Sequence, residues 1–211
     1  MNRLISRTIA CAALGLAAFS AQADVTALTL TSQGQQTFTY GGVLGWVFKP
    51  TQNITVTRLG QWDFNDDGLE SRAVVSLFDS GFNLLTATNV GAGTAGTLVG
   101  HYRYADTASV TLTAGQTYYV SSQFNGKVMR TDYADYAYTT AAEIDLLGGA
   151  FADSGGIPKQ TYTSFPDLVR VAYGGANFQF TDGGTRLPEP GTLALAAFAL
   201  LGSFAARRRR G

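Results

Sequence analysis

Short runs of alternating apolar and polar residues, separated by glycine-containing turns, fill the middle of this chain. Ile54-Thr55-Val56-Thr57 and Val110-Thr111-Leu112-Thr113 show the two-residue period of half-buried β-strands. Glycine supplies 25 of the 211 residues, well above its usual share of about 7%, and often stands where turns are expected, as in Asp79-Ser80-Gly81. The pattern predicts an all-β fold, an antiparallel β-sandwich.

One stretch, residues 125–168, departs from this rhythm. It mixes aromatic residues, glycines and two prolines, so we expect an irregular connection that is either an ordered functional loop or a mobile one. Its only helical signal is the capping box Thr140-Ala141-Ala142-Glu143, which predicts a short helix ended by Gly148 and Gly149. Outside it we predict strands near residues 26–32, 35–40, 43–48, 53–63, 72–79, 83–89, 97–104, 107–113, 116–124 and 176–181.

The N-terminus has the layout of an export signal. Arg3 and Arg7 give a positive start, Ile9 to Phe19 form an apolar run, and Ala21-Gln22-Ala23 has the small-x-small form of a signal-peptidase site. We therefore predict a signal peptide over 1–23, removed by signal peptidase, and a mature chain that begins at Asp24.

The C-terminus combines a short motif, an apolar run and a basic cluster. Leu187-Pro188-Glu189-Pro190 is followed by apolar residues 191–206 and four arginines. A helix over the apolar run would be about 24 Å long, close enough to the bilayer core of about 30 Å for snorkelling arginines to close the gap. The arginines would lie on the cytoplasmic side. The predicted sorting residues are Pro188, Glu189, Pro190, Arg207, Arg208, Arg209 and Arg210.

This tail resembles the PEP-CTERM sorting signal of exported proteins of Gram-negative bacteria. The resemblance implies recognition and cleavage by an exosortase, a precursor held transiently in the inner membrane, and a final place at the cell surface or in the extracellular matrix. It also implies an association with exopolysaccharide and biofilm. The chain then divides into a signal peptide (1–23), one domain (24–187) and a sorting signal (188–211) with a transmembrane helix.

The middle of the chain is similar to a domain widespread among PEP-CTERM proteins. Leu44-Gly45-Trp46-Val47-Phe48, Val75-Ser76-Leu77-Phe78-Asp79 and Leu112-Thr113-Ala114-Gly115-Gln116-Thr117-Tyr118 carry the likeness, which covers about 43–124 and 174–181. It implies a jelly-roll-like β-sandwich without an assigned activity.

The charge balance of the predicted domain argues against one class of partner. Residues 24–187 contain 9 basic and 14 acidic side chains, a net charge of −5. Because nucleic-acid binding depends on neutralising phosphates with Lys and Arg, we expect no nucleic-acid partner.

The acidic segment Asp63-Phe64-Asn65-Asp66-Asp67-Gly68 is the best candidate for a cation site. Its oxygens at positions 1, 3 and 5 and its glycine at position 6 match the first half of a calcium loop, which gives Asp63, Asn65, Asp67 and Glu70 as possible ligands. Position 12 is Val74 rather than Glu. The alternative is a strand connection in which Asp and Asn form Asx turns and Gly68 adopts positive φ.

The sequence predicts no catalytic residue. His101, the only histidine, stands in Gly100-His101-Tyr102-Arg103-Tyr104, interpreted as an alternating strand rather than a turn, and no G-x-S-x-G motif accompanies it. The sequence does not decide whether two carboxylates form a pair for glycoside hydrolysis, because the distance between them is set by the fold.

Tyrosines offer one ligand hypothesis. Tyr133, Tyr136 and Tyr138 could present rings to a sugar, or could cover the core from a loop. Trp46 and Trp62 are interpreted as core or strand-pair aromatics.

Three functions follow, in descending order of support. The first is a non-enzymatic exported protein of the envelope or extracellular matrix. The second is a glycan-binding module that uses the 132–138 loop and the acidic segment, with calcium as a possible aid. The third is a polysaccharide hydrolase.

Overall fold

The computed structural model describes residues 24–30, 37–40, 42–129, 138–152, 160–161 and 174–182. Asp24–Gly184 form one compact unit. Within the described ranges, no helix has the length and apolar character needed to cross a membrane. The predicted signal peptide and the C-terminal hydrophobic helix lie outside these residues.

The described chain is built almost entirely from strands, with one 3₁₀ turn at Phe64–Asp66. The strands are β1 (Val25–Thr26), β2 (Leu28–Leu30), β3 (Thr37–Tyr40), β4 (Val43–Pro50), β5 (Ile54–Trp62), β6 (Ala73–Asp79), β7 (Leu84–Val90), β8 (Thr97–Val99), β9 (Tyr102–Leu112), β10 (Tyr118–Gln123), β11 (Gly126–Met129), β12 (Tyr138–Thr140), β13 (Ile144–Ala152), β14 (Gln160–Thr161) and β15 (Ala176–Asp182).

Two sheets make up the body of the fold. One has five strands in the order β1-β15-β5-β9-β8, and the other has six in the order β14-β13-β4-β10-β6-β7. Two small pairs, β11-β3 and β12-β2, accompany them. Every strand pairing in the described ranges is antiparallel. The prediction of an all-β antiparallel sandwich is confirmed.

The chain passes repeatedly from one sheet to the other. β4 lies in the six-stranded sheet, β5 in the five-stranded sheet, β6 and β7 in the six-stranded sheet, β9 in the five-stranded sheet, and β10 and β15 on opposite sheets again. Jelly rolls are double-sheet folds with Greek-key crossings of this kind. The jelly-roll-like detail of the prediction stays an interpretation, which this alternation favours.

Aromatic rings hold the two sheets face to face. Trp46 and Phe48 of β4 lie 5.4 Å and 4.8 Å from Phe178 of β15, measured between ring centroids. The Trp46 indole N–H also donates to the Ala176 carbonyl at 2.8 Å. Trp46 and Trp62 are both buried, which confirms their predicted place in the core.

Polar side chains add hydrogen bonds between strands at two places in the sandwich. Thr86 of β7 and Thr107 of β9 share a hydrogen bond of 2.6 Å between their hydroxyls, which joins one sheet to the other. On β15, the buried Asn177 amide donates to the Leu28 carbonyl at 2.6 Å and its oxygen accepts from the Leu28 N–H at 3.2 Å. The Asn177 side chain therefore takes the role of a neighbouring peptide group.

The expectation for residues 125–168 is wrong in two respects. The predicted helix is absent: β12 ends at Thr140, a turn closes with the Ile144 N–H donating to the Ala141 carbonyl at 2.9 Å, and β13 begins. β13 is a nine-residue strand that pairs with β4 and contains the predicted helix stops Gly148 and Gly149. Burial of Ile144 and Leu146 in the core favours the strand over the helix.

The bounds predicted for the strands 97–104 and 107–113 differ from those in the structure. β8 ends at Val99, and Val99 pairs with Tyr102 across a two-residue turn in which Gly100 has φ 54° and His101 has φ 70°. Positive φ at both central residues is the signature of a type I′ hairpin turn. The interpretation of His101 as a strand residue is therefore wrong, and β9 runs unbroken from Tyr102 to Leu112.

Candidate functional site

The acidic loop between β5 and β6, residues 63–70, is held by hydrogen bonds from two other segments of the chain, at Arg103 and His101. Three of its residues have positive φ and bend it sharply: Asn65 with φ of 65°, Asp66 with φ of 62° and Gly68 with φ of 120°. Asn and Asp tolerate the left-handed region better than most residues, and Gly enters it freely. The positive φ of Gly68 agrees with the predicted strand-connection alternative. The Asp63 carboxylate accepts from the N–H of Gly68, five residues further on, so its contact is not the Asx turn of that prediction.

A buried ion pair fixes the base of this loop. Arg103 of β9 donates from Nε to Asp63 Oδ2 at 2.6 Å, and the exposed fractions of the two side chains are 6% and 0%. The guanidinium also donates to the carbonyl oxygens of Asp66 at 3.1 Å and Thr94 at 3.3 Å. The Gly68 N–H donates to both carboxylate oxygens of Asp63, at 3.0 and 3.1 Å. One buried arginine therefore organises two loops.

His101 joins the same network from the neighbouring hairpin turn. Its Nδ1 lies 2.9 and 3.0 Å from the two carboxylate oxygens of Asp66, and both side chains are one-third exposed. The His101 carbonyl accepts the Asp63 N–H at 2.9 Å. The histidine thus ties the β8–β9 turn to the tip of the acidic loop.

The predicted calcium ligands Asp63, Asp67 and Glu70 lie around one small cavity, but their carboxylates are not arranged to hold a metal ion together. Asp63 points into the ion pair with Arg103, whereas Asn65, Asp67 and Glu70 are exposed. Across the described ranges, no group of three or more His, Cys, Asp or Glu side chains is arranged to hold a metal ion. The geometry thus favours the alternative prediction, in which these residues shape a turn.

A small cavity opens beside the loop. Its volume is about 120 Å³, and its walls combine aromatic and acidic side chains on either side of the loop backbone. The lining residues are Trp62, Asp63, Phe64, Asp67, Gly68, Leu69, Glu70 and Phe124. The Trp62 indole nitrogen is buried without a hydrogen-bond partner among the described residues.

The remaining predicted site residues separate into two groups. Tyr138, on β12, packs against the hydrophobic core, which is the core-covering alternative weighed for the three tyrosines. Tyr133, Tyr136 and the whole sorting segment from Pro188 to Arg210 lie outside the described residues.

Sequence reasoning missed Arg103, which organises the loop. A signal was present, because Arg103 is a single charged residue between two aromatic residues of an otherwise sheet-forming run. A charge at such a position is either exposed or paired inside the protein. The sequence did not indicate that its partner would be Asp63, 40 positions earlier.

The C-terminal segment gives the clearest link to known proteins. Residues 187–210 match the family model described as the PEP-CTERM protein-sorting motif. The chain is therefore an exported protein that an exosortase sorts and processes at the membrane. No curated protein matches the chain significantly.

Proposed function

We propose that this protein is a non-enzymatic component of the cell surface or extracellular matrix, associated with exopolysaccharide and delivered through its C-terminal signal. The observation that carries the proposal is the sorting motif at 187–210, which follows directly on the β-rich unit Asp24–Gly184. The motif directs export and processing by an exosortase, and the domain before it is the part of the chain that is exported.

The contacts of the polar residues support a structural role for the domain. The buried Asp63 carboxylate pairs with Arg103, and the only histidine of the chain binds Asp66. A buried carboxylate and a histidine are the acid–base groups that a hydrolytic mechanism would use first, and here both connect loops to one another. The hydrolase hypothesis therefore keeps the lowest rank of the three.

The route is tested by mass spectrometry of the protein from its native host. The mature species is expected to begin at Asp24 and to lack Arg207 to Arg210. Glu189→Gln, which changes the motif itself, is expected to leave the precursor in the inner membrane. The matched control Asp106→Asn alters a carboxylate that is 82% exposed on the domain and should be processed normally. An intact C-terminus on the wild-type protein at the surface refutes the proposed route.

The non-enzymatic part needs its own assay. The processed protein is incubated with matrix polysaccharide from the same host, and reducing ends are measured against a buffer control. No release is expected. Hydrolysis that disappears on changing a single carboxylate would promote the hydrolase hypothesis without affecting the sorting result.

A further inference from the structure

A threonine and a glutamine meet where β1 pairs with β15, the first and the last strands of the described residues. Thr26 lies opposite Gln179 in this pairing, and the Gln179 amide nitrogen donates to the Thr26 hydroxyl oxygen at 3.3 Å. Gln179 is 4% exposed, yet its side-chain oxygen has no hydrogen-bond partner among the described residues. A buried amide that leaves its acceptor unused calls for an explanation.

This contact places a nucleophile beside an acyl carbon. With the amide nitrogen 3.3 Å from the hydroxyl, the length of a C–N bond puts Gln179 Cδ roughly 4 Å from Thr26 Oγ. Reacting atoms in a near-attack geometry are about 3–3.5 Å apart, so a shift of either side chain by about 0.5–1 Å closes the gap. Because Gln179 is almost fully covered, water is largely excluded from the acyl carbon, and an ester formed there would be protected from hydrolysis.

Asp24, two residues before Thr26, supplies a carboxylate at the same place. Its Oδ1 accepts from the Thr57 hydroxyl at 2.9 Å, and the same hydroxyl oxygen lies 3.3 Å from the main-chain carbonyl oxygen of Gln179. Residues two apart in an extended chain point to the same face. Thr57 therefore holds the carboxylate next to the Thr26–Gln179 pair, where it can accept a proton from a hydroxyl.

The Tyr104 hydroxyl is a further polar group beside the pair. Burial raises its pKa, and the nearby side chains of Thr26 and Asn177 lower it by less, so the hydroxyl stays protonated at neutral pH. Tyr104 is 1% exposed, and its hydroxyl forms no hydrogen bond with the described residues. A protonated, unused donor next to Thr26 is suited to stabilise the negative charge that develops on oxygen during attack on an amide.

We propose that Thr26 and Gln179 are a modification site, at which the chain forms an ester cross-link with itself. Thr26 Oγ attacks Gln179 Cδ, so that the Oγ–Cδ bond forms and the Cδ–Nε2 bond breaks. The hydroxyl proton passes to the Asp24 carboxylate and from there to the departing nitrogen, which leaves as ammonia. No atom changes its oxidation state, and no second reactant is consumed. The link joins residues 153 positions apart and fastens the two-residue strand β1 to the sheet. The proposal is independent of the sorting route.

Mass spectrometry of the full-length chain, purified in mild detergent, tests the cross-link. The intact mass is expected to be lower than the mass of the same sequence by one molecule of ammonia. Trypsin should give the peptide 171–186 joined to the peptide that ends at Arg58, and mild alkaline hydrolysis should separate the two, because an ester is more labile than an amide. An intact mass equal to that of the sequence overturns the proposal, and so does a loss of ammonia located elsewhere, for example at Asn125-Gly126.

Variants identify the reacting groups. Thr26→Val and Gln179→Met remove the hydroxyl and the acyl carbon, and each should abolish both the joined peptide and the loss of ammonia, whereas Thr26→Ser keeps the hydroxyl and should keep the link. The matched control Thr55→Val removes a hydroxyl that bonds to Thr111 at 3.2 Å in the same sheet, and should leave the link complete. Melting curves establish that each variant is folded. The proposal is refuted if Thr26→Val retains the loss of ammonia, or if Thr55→Val removes it.

Asp24→Asn tests the proton path. A general base contributes about 100-fold or more to such a step, so most of the freshly purified variant should be unjoined. Complete cross-linking of Asp24→Asn overturns the assigned role of this carboxylate.

Discussion

Replacing Arg103 with methionine tests the buried ion pair at the base of the acidic loop. Methionine keeps much of the volume but removes the donors to Asp63 Oδ2 at 2.6 Å, the Asp66 carbonyl at 3.1 Å and the Thr94 carbonyl at 3.3 Å. The Asp63 carboxylate, with an exposed fraction of 0%, keeps only the Gly68 N–H among its described partners. Removing one member of a buried pair typically costs about 3–5 kcal/mol.

That cost is large for a domain of this size. Total stabilities are about 5–15 kcal/mol, and at about 2–4 °C per kcal/mol the melting temperature should fall by roughly 10 °C. Urea unfolding of the processed protein, followed by tryptophan fluorescence, gives the free energy. The surface pair Arg58–Asp106, at 2.8 Å with Asp106 82% exposed, supplies the control, because Asp106→Asn should cost only about 0–1 kcal/mol.

A double variant separates the pair from its surroundings. Asp63→Leu together with Arg103→Met removes both charges, and its loss of unfolding free energy should be smaller than the sum of the two single losses by about 1–3 kcal/mol. The reasoning is refuted if Arg103→Met costs no more than Asp106→Asn, or if the two single losses add without coupling.

Three further outcomes are expected. The melting temperature should be the same in millimolar calcium and in chelator, because Arg103 already occupies the Asp63 carboxylate; a rise of several degrees, corresponding to about 2.7 kcal/mol at 100-fold saturation, would restore the calcium hypothesis. Gly45→Ala should lower the free energy of unfolding by about 3 kcal/mol, because the added Cβ would collide with the Val120 carbonyl oxygen. Gly115 has open space around it and a φ of +76°, so Gly115→Ala should cost only the backbone strain of about 1–2 kcal/mol. Burial raises the pKa of the Tyr104 hydroxyl above its ordinary 10.0, so above pH 10 this tyrosine ionises in the unfolded chain but not in the folded one. The free energy of unfolding should therefore fall by about 1.4 kcal/mol per pH unit above pH 10 on account of this residue. Tyr104→Phe should make this fall less steep in urea unfolding between pH 9 and 11, and an unchanged slope would contradict the argument.

Strands with one face in the core could be predicted from the sequence. β5 alternates apolar and polar residues from Ile54 to Thr57, and the structure buries Ile54 and Val56 while their neighbours are only partly covered. β13 could not be predicted in this way. It lies between β4 and β14, and most of its residues on both faces are covered, so its sequence is a nearly continuous apolar and glycine run without a two-residue period.

Contacts between distant parts of the chain limited how much of the candidate site could be predicted from the sequence. The Asn, Asp and Gly residues at 63–68 indicated a turn, and the positive φ of Asn65, Asp66 and Gly68 agrees with it. The sequence could indicate this because the turn preference of these residue types is local. The partners of this turn, Arg103 and His101, come from β9 and its hairpin, whose placement depends on a register shift between Val56 and Arg58 of β5. A shift of one residue reverses which side chains face inward, and no local pattern specifies it.

The position of β15 determines how the domain would respond to a pulling force. Among the described residues β15 is the last strand, and it is paired on both sides, with β5 over seven residues and with β1 over two. A pull applied to Asp182 along the strand direction would be parallel to both neighbouring strands. Such a pull loads the hydrogen bonds to the neighbouring strands in shear, so that they must break together. A pull across the strands would break them one after another. A pull along the strand direction is therefore expected to meet more resistance than a pull across the strands.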